Sequence, residues 1–364
     1  MNRYLVSIAD LAHNVNQVQS RLGGKTLIAI VKGDGYGLGL LPYAEQLHAL
    51  GVTFFGVTEP EDAASLRAAF PESEILMLRS TALEDELRVL IQNRIILTLG
   101  SPLSLSRANT VAAALGTTAA FHLKFDLGMG RYGFPLQAAE SLPAQLETLT
   151  SLTLTGTYAH LNQAFGSLKK TRAQIAQFDA AVETLRAQGL APGLVHLYNS
   201  SALFRLREVY GDACRIGSAL LGRIPHGGKS LRPLGVLETV VHEPHALPIG
   251  ATVGYGAACK LRRTTTVTVL PVGYHHGFGV EKIRDTYRVR DGVRYLLQDL
   301  LRTLKHKRIT VTIGGKPAAV LGHIGMLHTV VDLTHISCRE GDRALVPLSP
   351  LYRSGSVPVI FIEF

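Results

Sequence analysis

Short apolar runs alternate with amphipathic, alanine- and leucine-rich stretches through the first 220 residues, and this rhythm narrows the possible folds sharply. The runs are LIAIVK (27–32), FFGV (54–57), ILML (75–78), IILTL (95–99), FHLKF (121–125), TGTYAH (155–160), LVHLYN (194–199) and CRIGSALLG (214–222). Stretches such as EPEDAASLRAAF and KKTRAQIAQFDAAVETLRAQG lie between them. Strand patterns alternating with helical ones imply βαβ units and a parallel sheet. An open doubly wound sheet is the alternative, and a count of eight favours a closed (β/α)8 barrel.

The texture changes near residue 233. TTTVTVLPVGY, RITVTIGG, PAAVLGHIGM, HTVVDLT, DRALVPLS and VPVIFIEF are β-rich and separated by glycine, proline or charge. The expected organisation is therefore a barrel over 1–232 and a mostly β domain over 233–364. Inside the second domain, the segment 286–308 stands apart. Leu296, Leu297, Leu300, Leu301 and Leu304 recur at helical spacing, which predicts one amphipathic helix.

Composition removes several function classes. No apolar run reaches the roughly 18–20 residues of a membrane span, so no membrane partner is expected. The opening MNRYLVSIADLAHNV lacks the apolar run and cleavage site of a secretion signal. Cys214, Cys259 and Cys338 are widely spaced and lack metal-type pairing, so reduced thiols, no metal and a cytoplasmic location are expected. The formal charge is +9, but the basic residues are scattered apart from KLRR (260–263) and LRTLKHKR (301–308), and there is no tryptophan to stack bases. Nucleic acid is not expected; a pocket for an anionic cofactor or substrate accounts for part of the charge.

In a barrel, residues at the C-terminal ends of the strands face the active site. Those ends carry Lys32, Lys124 with Asp126 and Arg131 beyond it, His160, Asn199 with Ser200, and Arg215 followed by Gly217 and Ser218. Each has an ordinary structural role open to it: a snorkelling lysine, a core histidine, a helix cap at NSS, an ion-paired arginine. Their convergence on one rim brings together an amine, permanent cations, an imidazole and a small-residue turn able to cradle an anion. An amine beside a phosphate-sized nest suits pyridoxal phosphate, which a lysine holds as a Schiff base.

AIVKGDGYGLG (29–39) resembles the cofactor-lysine motif of the alanine racemase family, a run of the form V-K-A-x-A-Y-G-H-G. The resemblance continues, in the family's order, through HLKFDLGMGRYGF (122–134), GTYAHL (156–161), HLYNSSA (196–202), RIGSALLG (215–222), VGYGA (253–257), PVGY (271–274), GHIGM (322–326), TVVDLT (329–334) and LYR (351–353). It implies a cytoplasmic, pyridoxal-phosphate-dependent isomerase that interconverts L- and D-alanine, the latter a cell-wall precursor. It also implies a head-to-tail homodimer with shared active sites.

By that resemblance Lys32 carries the cofactor and is one of two catalytic bases. Tyr255 is the other, reaching the opposite face of the substrate from the partner subunit. A phenol is a poor base at neutral pH unless cations assist it; in the family, residues matching His160 and Arg215 stand near that phenol. Arg215 matches the arginine at the cofactor's ring nitrogen. Tyr36, Ser200, Gly217, Ser218 and Tyr352 match phosphate-binding positions, and Asn199 adjoins them. Arg131 and Met326 match residues at the substrate carboxylate, and Lys124 matches a position that is often carbamylated.

Three departures fall in the second domain. Leu327 stands where the family usually has aspartate, His275 and His276 replace a small residue and an acid, and segment 286–308 is longer than usual. They leave the identity of the amino acid open, with serine an alternative to alanine. A fold-related decarboxylase is disfavoured by Arg215, where those enzymes place a carboxylate. A single-barrel cofactor carrier is disfavoured by the second domain and Tyr255.

Overall fold

The computed structural model describes residues 2–284, 287–304 and 308–363. The chain divides into two compact units, residues 8–234 and residues 1–7 with 235–364.

The first unit is the expected barrel. Its strands are Thr26–Ile30, Phe54–Val57, Glu74–Met77, Leu97–Leu99, Ala119–Lys124, Leu152–Tyr158, Leu194–Asn199 and Ala213–Ile216. They pair in parallel, and the last strand returns to the first with Arg215 opposite Ile28. Between the third and fourth strands the ring closes through a single bridge, Leu76 to Ile96, flanked by the hydrogen bond from Met77 N to Ile96 O at 2.9 Å. Helices cover the outside. That leaves most of these strands buried on both faces, which is why they read as nearly continuous apolar runs; the first half of Leu152–Tyr158 is the partly exposed exception.

The helices follow from one-sided patterns and local caps. Leu168–Ala187 buries Thr171, Gln174, Phe178, Ala181, Val182 and Leu185, a stripe at helical spacing. Pro102–Ala114 begins at a reciprocal cap between Ser101 and Ser104, with proline at the first turn, where no backbone donor is lost. Inside the barrel, Ile28, Ile30, Phe54, Leu76 and Ala213 form an apolar plug. Burying such a side chain is worth about 1.5–3 kcal/mol. The plug holds the strands still, so that the groups at their C-terminal ends have a rigid base.

The second unit is built on a nine-stranded sheet. The six β-rich runs become strands Thr265–Leu270, Thr310–Ile313, Lys316–Leu321, Thr329–Asp332, Arg343–Val346 and Val359–Ile362. Arg3–Ser7 joins this sheet, parallel to Val359–Ile362 and antiparallel to Val236–Val240. The buried Glu238 locks that junction by pairing with both Arg3 and Arg343. The helix expected within 286–308 is present as Val289–Leu304. Thr286, Lys305, His306, Lys307 and the side chain of Leu304 lie outside the described residues.

Candidate active site

Nine of the residues picked out at the strand ends line one cavity of about 350 Å³ in the barrel unit: Lys32, Lys124, Arg131, His160, Asn199, Ser200, Arg215, Gly217 and Ser218; Tyr36, placed by the resemblance, joins them, and Asp126 does not. Its wall contains two lysines and three arginines, and no aspartate or glutamate. Arg79 is paired with Glu86 and Glu59, but Lys32, Lys124, Arg131 and Arg215 make no ion pair among the described residues, and their field favours an anion.

Lys32 sits just beyond the first barrel strand, where the backbone makes an unusual turn. Gly33, Asp34, Gly35 and Tyr36 all have φ between 52° and 61°, a left-handed turn at the point where a strand would otherwise run on. Glycine adopts this freely, but Asp34 and Tyr36 do so at a cost of roughly 1–2 kcal/mol each. The turn is held by Gly35 N donating to Val31 O at 3.0 Å and Gly39 N to Asp34 O at 3.0 Å. The Asp34 carboxylate accepts from Leu40 N at 2.9 Å, at the start of the next helix. Burial, then the charge of Arg131, holds the Lys32 amine below the usual lysine range.

The strained turn aims the Tyr36 phenol across the cavity onto Gly217. A Cβ at Gly217 would stand 2.1 Å from Tyr36 Oη, so only glycine fits beneath that ring. Burial pushes the Tyr36 phenol up to about 12, leaving it protonated and able to donate. Ser200 Oγ accepts from Gly217 N and Ala219 N, both at 3.2 Å, and pins the following loop. Asn199 also has the capping role that the NSS pattern allowed: its Oδ1 accepts from Ala202 N at 3.0 Å. The hydroxyl of Ser201, buried in the cavity wall, has no hydrogen-bond partner among the described residues.

Arg215 is buried and has no carboxylate partner among the described residues. Its guanidinium donates to Ala159 O and His196 Nδ1 at 2.7 Å and to His196 O at 3.0 Å, and lies 3.4 Å from His160 Nδ1. It also lies over the Tyr158 ring at 4.6 Å. Burial lowers it to about 10, so it keeps its proton at neutral pH. His196 Nε2 in turn meets His122 Nδ1 at 2.8 Å. Burial, followed by the Arg215 charge, brings His122 and His160 down to about 3 and His196 well below its ordinary value. All three rings are therefore neutral and their tautomers are fixed by what they accept and donate.

Lys124 is buried rather than at the surface. Burial, then Arg215 and Arg131, lowers its amine to about 7, against the opposing pull of Asp126. Asp126 is occupied by Met129 N at 2.8 Å and Gly130 N at 2.9 Å, which shapes the loop that carries Arg131.

Tyr255, Met326 and Tyr352 belong to the second unit. Loops there bring them to a common region of that unit. The turn before Tyr255 approaches His323, Met326 O accepts from His275 N at 3.0 Å, and Gly277 lies against Tyr352 O. Tyr255 is 83% exposed. His275 and His276, noted as departures, thus form part of the loop that supports Met326.

Reading only strand ends missed Tyr158, His122, His196 and Ser201. A usable signal existed for two of them. Tyr158 and His122 stand two residues before His160 and Lys124, so they share the inward face one layer lower in the barrel. Ser201 gave no such sign, because a serine after a strand is ordinary.

Among the described residues no group of three or more His, Cys, Asp or Glu could hold a metal, and no helix is long and apolar enough to cross a membrane.

The model of the alanine racemase N-terminal domain matches residues 6–225, and that of the C-terminal domain matches residues 236–347. An alanine racemase from Syntrophobacter fumaroxidans is 30% identical over 94% of this chain and 86% of its own length. The fold is shared with alanine racemase from Streptomyces lavendulae, with a TM-score of 0.83, 24% identity, and coverage of 100% of this chain and 97% of that one. It is shared too with alanine racemase from Bartonella henselae, solved with covalently bound pyridoxal phosphate, with a TM-score of 0.80, 21% identity and 99% coverage of each.

Proposed function

This chain belongs to the alanine racemase family and is an isomerase of that kind, and on that premise we propose that it interconverts L- and D-alanine using pyridoxal phosphate held in the barrel cavity. The observation that carries the reading is a barrel cavity lined by lysines, arginines and small hydroxyl residues, with no carboxylate in its wall. The Tyr36 phenol, packed over Gly217 and kept protonated by burial, can donate to a phosphate held beside Ser200 and Ser218 in the same cavity wall. Tyr352 completes that set by the family's pattern.

When bound, the cofactor supplies an electron sink that acidifies the α-proton of an attached amino acid. The protein's own groups do the rest. Lys32 holds the cofactor covalently and, with its amine lowered by burial, takes or returns the α-proton at Nζ on one face. Tyr255 does the same at Oη on the other face, coming from the partner subunit of a head-to-tail homodimer. Its exposure in the single chain suits a residue whose work lies on another subunit. His160 and Arg215 stand by to share hydrogen bonds with that phenol.

Arg215, a permanent donor with no carboxylate partner among the described residues, would hold the cofactor's ring nitrogen as a hydrogen-bond acceptor and so keep it unprotonated. An arginine at this position, where the fold-related decarboxylases place a carboxylate, supports the racemase reading. Arg131 and the Met326 backbone take the substrate carboxylate. Lys124, lowered to about 7, presents enough neutral amine to react with carbon dioxide, and the resulting acid would orient Arg131.

The test is turnover. Purified protein with pyridoxal phosphate should convert L-alanine to D-alanine and back, read by polarimetry, without releasing carbon dioxide. Carbon dioxide release without racemisation would point to the decarboxylase reading.

A further inference from the structure

The helix Val289–Leu304 is placed inside out. Val289, Val293, Leu296, Leu297, Leu300 and Leu301 form one continuous face, and each is at least 51% exposed. The opposite side is the half-covered one. There Asp291 pairs with Arg294 at 3.4 Å and Asp299 with Arg284 at 2.8 Å, while Tyr295 sits between the two guanidinia. An amphipathic helix in a water-soluble domain normally turns its apolar stripe to the core. This one presents it to solvent.

The charges decide what fits that face. Residues 281–308 carry nine lysines and arginines against four acids. The helix's two acids are already paired internally, whereas Arg288 and Arg290 make no ion pair among the described residues. Among the described residues, cations lie at both ends of the helix, with Lys282, Arg288 and Arg290 before or at its start and Arg308 after it. A second copy laid on this face would bring cations against cations in either orientation. A surface of opposite charge accepts both the stripe and its flanks.

We propose that Val289–Leu304 is a docking helix for an anionic lipid surface, lying in the plane of the membrane with its leucines inserted and its flanking cations on the headgroups. The expectation of no membrane partner rested on the lack of a spanning segment, which a helix lying flat does not need. Each basic residue near such a surface strengthens binding about fivefold, and that part of the attraction falls as salt rises. This inference does not depend on the proposed reaction.

The test is co-sedimentation of the full-length, cofactor-loaded protein with phosphatidylcholine vesicles that contain or lack about a third of phosphatidylglycerol. Binding to the mixed vesicles is expected at low salt. It should weaken at least tenfold in about 0.5 M sodium chloride, and it should be negligible on phosphatidylcholine alone. Leu296→Asp with Leu300→Asp should abolish it, and Arg288→Glu with Arg290→Glu should weaken it at least tenfold. Unchanged thermal unfolding shows that both variants are folded. No binding to the mixed vesicles, equal binding to both kinds, or binding that survives the leucine substitutions would overturn the proposal. So would a change in oligomeric state caused by those substitutions without lipid, which would make a second copy the occupant.

Discussion

Gly217→Ala should weaken cofactor binding through Tyr36 alone. The added methyl would stand 2.1 Å from Tyr36 Oη, 2.8 Å from its Cζ and 3.0 Å from Cε2, where ordinary contacts begin near 3.4 Å. Tyr36 must therefore move by more than an ångström. It is not free to do so cheaply, since its ring packs on the apolar plug and its backbone already holds a left-handed conformation. Overpacking of this kind costs about 1–3 kcal/mol, or roughly 5- to 150-fold in the cofactor's dissociation constant if the strain is paid on binding. The assay is titration of the apoprotein with pyridoxal phosphate, followed by absorbance. Tyr36→Phe removes the nearest atom and raises the closest approach to 2.8 Å, so the double variant should lose less than the sum of the two single losses. A Gly217→Ala protein that binds within twofold of the parent, or strictly additive losses in the double variant, would refute the argument.

Ser201→Ala should leave the protein as stable or slightly more so, because it removes a buried hydroxyl without a partner among the described residues; a loss of more than about 1 kcal/mol in urea unfolding would show that the hydroxyl is hydrogen-bonded in solution. Mixing inactive Lys32→Ala with inactive Tyr255→Phe subunits should restore one competent site per heterodimer, and an absence of activity after confirmed subunit exchange would place the whole site in one chain. The barrel should be acid-labile. His122 and His160 are held at about 3 in the fold, below the ordinary value near 6.5 of the unfolded chain. Their contribution is therefore present above pH ~6.5 and lost as pH falls toward 3, at about 1.4 kcal/mol per pH unit for each ring. Urea unfolding that stays constant between about pH 7 and pH 5 would contradict this.

The barrel was legible because parallel strands buried on both faces leave apolar runs, and each of the eight runs became a strand. Arg3–Ser7 was not legible as part of the β sheet, since its partners lie more than 230 residues away and no local pattern records so distant a pairing. The rim residues could be read because a barrel sends its strand ends to one place. The layer beneath was less visible: the link from Arg215 through His196 to His122 depends on register between neighbouring strands. The helix at 289–304 shows the limit of pattern reading. Its spacing predicted its existence, but not that its apolar face would be turned outward.

Exchange of the α-proton in heavy water tests the central claim most directly. With the cofactor-loaded protein, L-alanine and D-alanine should each take up deuterium at the α-carbon and pass into the other enantiomer, and alanine should exchange faster than lysine or arginine. An apolar pocket rejects an added hydroxyl by only about 100-fold, so slower exchange of serine is compatible with the account. No exchange of alanine, or faster exchange of a long basic amino acid, would contradict it.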